Sequence, residues 1–315
     1  MSRLTLGMQI FMPLLILAAA STVRAETLYV NCGGKAGLAS IGAALKTLQY
    51  SEGHGPNTIN VSGACRENIV IQSLDRLTLN AVNGASIADS SGGKQDVIAV
   101  NDSRDVAING FKIYAGSDGA SGANGISCND WSACRLALNV IQGAGSGAGF
   151  AVFQASEASV DGDIFQNNDT GLTVNSASKV RLGGLARPLT IQGNGTGIFS
   201  ARQGFVFIIG NVQNNSGQGI FVRFHSTLEL AGGSVSNNGS IGAKVLESSD
   251  VRFTGGTIIT ANGGPGVQIE DLSMSFFNGA TVTGNGGGTD VVCTPQFSAT
   301  RGVAGTGGTT NCVEP

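Results

Sequence analysis

The sequence predicts an all-β fold, a right-handed parallel β-helix solenoid of about nine or ten coils with a short N-terminal capping helix. Three observations carry that expectation. A phrase of Asn, small residues, Gly and two apolar residues one apart recurs along the chain. Apolar residues between its copies alternate with period two, the pattern of strands with one buried face. Glycine fills 49 of 315 positions while 41% of residues are hydrophobic and 12% charged. That is too apolar for disorder and too glycine-rich for an ordinary globular domain, so a regular, turn-rich architecture must use the glycine.

Residues 1–25 read as a secretory signal peptide. Arg3 precedes an apolar stretch from Ile10 to Ala20, and Val23-Arg24-Ala25 supplies a small-residue cleavage pattern. The stretch is shorter than the roughly 20 residues that span a bilayer. The mature chain is therefore expected to begin near Glu26, to be secreted or periplasmic, and to have no membrane partner after cleavage.

Residues 26–66 are expected to hold a strand and the capping helix. Ser40 suits a helix N-cap, and Ile41, Ala44, Leu45 and Leu48 fall on one helical face, apt to cover the open end of a solenoid.

Residues 67–292 form the solenoid. Clear copies of the phrase are NNDTGLTV from Asn167, GNGTGIFS from Gly193, NNSGQGIFV from Asn214, NNGSIGAKV from Asn237, ANGGPGVQI from Ala261 and GNGGGTDVV from Gly284. Their register asparagines, Asn168, Asn194, Asn215, Asn238, Asn262 and Asn285, are 26, 21, 23, 24 and 23 residues apart. Three short strands per period make one triangular coil. Asn tolerates the left-handed conformation of a tight corner, and stacked amides can bond along the column, so these six are expected to stack at one corner. Gly149 with Phe150 and Val152, and Gly125 with Ile126, continue the phrase towards the N-terminus. Segments 68–71, 77–79, 97–100 and 106–108 still alternate, with longer loops between them.

Residues 293–315 read as a Gly/Thr-rich tail with no core pattern, tied by a disulfide. All six cysteines lie in the mature part, an even number suited to an oxidising compartment. Solenoid coils touch only their neighbours, so the expected pairs are local: Cys32 with Cys65, Cys128 with Cys134, and Cys293 with Cys312. No CxxC pair occurs and only His54 and His225 could add soft ligands, so no metal site and no cofactor is expected. The chain has 18 Lys+Arg against 21 Asp+Glu. Without Arg3 and Arg24 its charge is about −5, which argues against a nucleic-acid partner.

The segment from Ile41 through Ala44-Leu45, then GPNTINVSGACRENIVI from Gly55 and the Asn-and-Gly coils, resembles the pectin-lyase-like superfamily of right-handed β-helix proteins over nearly the whole mature chain. That superfamily includes pectate and pectin lyases, polygalacturonases, uronan epimerases, phage tailspikes and exported repeat proteins without assigned roles. The resemblance implies the fold and leaves the activity open.

A polygalacturonase-like site would need Asn-Thr-Asp, Asp-Asp, Gly-His-Gly and Arg-Ile-Lys. Only Gly53-His54-Gly55 matches, and it reads as a turn after the helix. A lyase would need calcium-binding carboxylates and an Arg or Lys base in one groove, but Asp161 with Asp163 and Glu270 with Asp271 lie four to five coils apart. One constellation remains as a candidate glycan site: Phe199, Arg202, Phe221, Arg223, His225 and Lys244. There, outward aromatics stand beside cations and an imidazole on adjacent coils. A second outward column, Arg181, Phe207, Glu229, Arg252 and Ser275, reads as a charge ladder between strands. One Trp, Trp131, falls between Cys128 and Cys134 in a small clipped loop. The sequence thus points to an exported, non-catalytic surface or polysaccharide-binding scaffold. The alternative is a diverged polysaccharide lyase, glycoside hydrolase or uronan epimerase acting on an acidic glycan.

Overall fold

The computed structural model describes residues 25–34, 37–50, 54–294 and 299–312. The expected signal peptide, apart from Ala25, lies outside them. The chain winds into a parallel β-solenoid of ten coils with three faces. The first face is a ten-stranded parallel sheet running from Ile69–Gln72 to Val291–Cys293. The second and third faces join into one nineteen-stranded sheet, because three long strands, His54–Arg66, Phe205–Gln213 and Thr227–Ser236, cross the corner between them. Parallel pairing begins at Thr27–Cys32 and ends at Ala299–Arg301. Adjacent coils are 20 residues apart at Asn60 and Asn80, 29 at Asn80 and Asn109 and 21 at Asn194 and Asn215, so the longer loops fall near the N-terminal end but not on the first coil, where they were also expected. His54, expected in a turn, instead begins a strand whose backbone pairs with Asp75.

Inward residues stack in columns of like side chains, for example Leu172, Ile198, Ile220, Ala243, Val267 and Val291. All of them are fully buried. Above them runs the asparagine ladder. Nδ2 of Asn168, Asn194, Asn215, Asn238 and Asn262 each donates to Oδ1 of the next asparagine at 3.1, 3.0, 2.8, 2.8 and 2.8 Å. The column ends where Asn285 donates to Asp290 at 3.1 Å, an acceptor-only group closing a one-way chain of donors. Burial of Asp290 opposes its charge, and hydrogen bonds from Asn285 and Thr309 outweigh it, holding the carboxyl below its ordinary range.

The ladder asparagines are not the left-handed residues. Positive φ falls on the residue before each, at Asn167, Gly193, Asn214, Asn237, Ala261 and Gly284. The ladder position selects for the amide, and the preceding position for the turn. The phrase glycine serves a third purpose: a Cβ on Gly219 would lie 2.6 Å from Asn238 Nδ2 and 2.6 Å from the Gly242 carbonyl. Only glycine lets the amide column pass there.

A second ladder lines the corner between the first and second faces. Buried hydroxyls of Ser103, Ser132, Ser156 and Ser178 accept from backbone N–H groups one coil earlier at 3.0–3.2 Å, as do Ser226, Ser249 and Ser273. Gly204 interrupts it. A third column, on the outer third face, runs through Gln142, Gln166, Gln192 and Gln213.

Both ends are closed. Helix Ile41–Tyr50 buries Ile41, Ala44, Leu45 and Leu48 against the first coils. Ser40 Oγ accepts from Ala43 N, and the Glu67 carboxylate accepts from Ile41 N and Gly42 N at 2.8 and 3.0 Å. At the other end the tail contributes a strand, Ala299–Arg301, and a 3-10 turn, Val303–Thr306, with Thr300 and Val303 buried. The tail therefore does carry core residues, although they are too few and too widely spaced among Gly and Thr to form a pattern. Disulfides join Cys32 to Cys65, Cys128 to Cys134, and Cys293 to Cys312.

Candidate functional site

Two consecutive left-handed residues turn the chain from the first face to the second in most coils: Asp130–Trp131, Gln154–Ala155, Ser176–Ala177, Arg202–Gln203, Phe224–His225, Glu247–Ser248 and Asp271–Leu272. Their backbones form a continuous rung system. Trp131 N donates to Gln154 O, Ala155 N to Ser176 O, Ala177 N to Arg202 O and Gln203 N to Phe224 O, at 2.9–3.1 Å. Side chains at this corner point outwards because the serine ladder holds the next residue inwards.

The six candidate residues divide between two places. On the first face, Phe199 pairs with Phe221 and Phe221 with Lys244 in one column. The two rings lie 5.6 Å apart at 53°. The cations beside them are neutralised. Arg223 makes a two-pronged pair with Glu247 at 2.9 and 3.0 Å, and Lys244 meets Glu270 at 3.3 Å. At the corner, Arg202 and His225 come together with Ser176, Ala177, Gln203 and Phe224 around an open depression of about 420 Å³. The Arg223 guanidinium lies over the Phe224 ring at 4.1 Å. Phe224, Gln203 and Ser176 were not among the residues picked from the sequence. Their signal was a break in alternation between Val222 and Ser226, both inward, which leaves three residues to turn outside.

The second outward column is corrected at one position. Arg252 pairs with Phe276, not Ser275. Ser275 faces inwards beside Val251, fully buried, and its hydroxyl has no hydrogen-bond partner. One extra residue in the corner between Thr254 and Ile258 lengthens the coil offset from 23 to 24, which a count from Arg252 by the average period does not register.

The first acidic pair, Asp161 with Asp163, is tied into the fold. Asp161 binds Arg187 through Nε at 3.1 Å and Nη2 at 3.2 Å, and this guanidinium keeps its carboxyl below the ordinary range. Asp163 is wholly buried, accepting from Asn139 N, Asn139 Nδ2 and Asp161 N at 2.9–3.0 Å. Burial raises it to about 6, against those three donors. Among the described residues, one group could gather around a metal: Cys32, Cys65 and Glu67. Both sulfurs are spent in a disulfide and the carboxylate caps the helix.

Residues 187–301 match the family model described as a right handed beta helix region. No curated protein matches the chain by sequence. Among solved structures, the A-module of the Azotobacter vinelandii mannuronan C-5 epimerase AlgE6 is 14% identical, with 87% of this chain and 91% of that one covered at a TM-score of 0.58. A periplasmic alginate epimerase, AlgG, is 12% identical over 78% of this chain and 70% of its own, at 0.55. Pectate lyase Pel9A is 12% identical over 93% and 79%, at 0.50. At such identities the likeness is one of fold. Among the described residues no helix is long and apolar enough to cross a membrane. The chain is a right-handed parallel β-helix repeat protein of the pectin-lyase-like fold.

Proposed function

We propose that the protein is an exported, non-catalytic scaffold that binds polysaccharide at the corner depression lined by Arg202, Gln203, Phe224 and His225. One observation supports this above others. The depression gathers an aromatic ring, an amide, a guanidinium and an imidazole in the open, whereas Arg223 and Lys244 are held by Glu247 and Glu270. Hydroxyl recognition needs donors and acceptors beside an apolar surface, and those groups are the ones left outside the ion pairs. The solved structures sharing the fold include two epimerases and a lyase named for polysaccharide substrates, which is consistent with a glycan partner. Three disulfides fit an oxidising, secreted or periplasmic setting.

The test is binding of the purified protein to a panel of neutral and acidic polysaccharides, with Arg202→Ala and Phe224→Ala alongside. Retention by at least one glycan is expected, weakened about tenfold in each variant. No retention by any of them sinks the reading.

A further inference from the structure

We propose that the glycan is neutral and lies along the solenoid axis, extending from the depression at Phe224 and His225 over Ala177 and Ala155 to Trp131, which serves as its far stacking platform; this rests on the reading of the corner as a polysaccharide site. Trp131 is 77% exposed, the most exposed of the large hydrophobic side chains described. Its backbone sits in the left-handed region at φ 61°. The Cys128–Cys134 disulfide spans the corner beneath it, with both cysteines buried, and Trp131 N is bonded to the next rung. A large apolar ring left 77% exposed on so rigid a mount has little packing return within the molecule. A ligand face would supply it.

The rung system joins this ring to the depression. Four successive backbone bonds separate Trp131 from Phe224, so the two aromatics stand about 19 Å apart at roughly 4.8 Å per rung. Between them the corner is floored by Ala155 and Ala177 and edged by Gln154, Ser176 and Gln203. These are short or neutral side chains, and Ser176, Ala177 and Gln203 line the depression itself. An extended pyranose chain advances by about one rung per residue, so four or five sugars would reach from ring to ring with a hydrogen-bonding group beside each.

The charge at this corner argues for a neutral chain. Arg202 is the one cation lining the depression, Asp130 stands beside Trp131, and the mature chain carries an excess of acids. A polymer with a carboxylate on every residue would meet Arg202 and an Arg223 already paired with Glu247, and repulsion from the whole-molecule field.

The experiment uses the full mature protein with neutral oligosaccharides of two to seven residues and with oligogalacturonates of the same lengths, by calorimetry. Affinity for a neutral series should rise to four or five residues and then level. Trp131→Ala should lose about tenfold on the longer members and nothing on the disaccharide, while its melting temperature stays within a degree or two of the parent because the side chain is 77% exposed. A wild-type protein that binds no polysaccharide overturns the glycan reading and this inference with it. Binding that ignores Trp131→Ala, or that prefers oligogalacturonate, overturns this inference alone. A concentration-dependent dimer abolished by Trp131→Ala would assign the corner to a second copy and overturn it as well.

Discussion

Asp163 shows what a single side chain does inside a repeating column. Its neighbour Asn139 uses an amide oxygen and nitrogen to join coils, accepting from Phe111 N and donating to Ile108 O. Asp163 offers two acceptors instead, and the second takes Asp161 N. The folded carboxyl, raised to about 6 by burial, lies above its unfolded value of roughly 3.9. The folded state therefore holds a proton that the unfolded chain has released between about pH 4 and 6. Stability from this group is fully present below that window and is lost as pH rises through it, by at most about 3 kcal/mol. Asp161 has the opposite sign, since its depressed carboxyl stabilises above its unfolded value and loses that contribution in acid. Asp163→Asn should thus gain on the parent by about 2–3 kcal/mol between pH 4 and 7 in denaturant titrations. A difference independent of pH would show that the carboxylate is not what titrates. The sequence showed Asp161 and Asp163 as an acidic pair because a one-dimensional reading cannot tell an inward side chain from an outward one at a corner. The asparagine ladder was legible because its residues repeat, while the division of labour between Asn215 and its left-handed neighbour Asn214 was not, since the two are the same residue type.

Among elements, the N-terminal helix was the most readable, because its four apolar positions have helical spacing and Ser40 precedes them. It also has the most specific consequence. A solenoid is stabilised coil by coil, so damage to a cap opens the nearest coils first. Leu48→Ala removes a fully buried side chain from the helix–coil contact and should cost about 2–5 kcal/mol locally. By hydrogen exchange, strands Thr27–Cys32 and Ile69–Gln72 should lose protection while Val267–Ile269 keeps it. Uniform loss along the stack would mean that the coils unfold as one cooperative unit. The serine ladder escaped notice for the reverse of the reason that exposed the helix. A lone serine among turn residues looks like any loop serine, and Gly204 breaks the column between Ser178 and Ser226. Ser275 was misplaced because corners of varying length make the strand phase drift, and period-two alternation is reset at each of them.

For the whole molecule, periodicity made the fold legible and left the site obscure. A fold built from one repeated coil is written many times in the chain, whereas a binding or reacting centre occurs once and departs from the repeat. Catalysis on an acidic glycan would require a base, a group neutralising the sugar carboxylate and an acid or cation within reach of one bond. A column supplies neighbours one rung apart, and here the rungs pair opposite charges with each other: Arg223 with Glu247, Lys244 with Glu270, Lys179 with Glu157, Arg135 with Asp105. An arginine or lysine acts as a base only after losing its proton, and a carboxylate in contact with it makes that loss harder. The imidazole of His225 stands free at the corner, but the acid nearest its rung, Glu247, is committed to Arg223. The protein should therefore release no unsaturated or reducing ends from polygalacturonate and leave mannuronan unepimerised over prolonged incubation. Were turnover found, Arg223→Ala would locate it: activity that vanishes in that variant while the disulfide-linked fold persists would place a reacting centre on the first face and replace the scaffold reading with an enzymatic one.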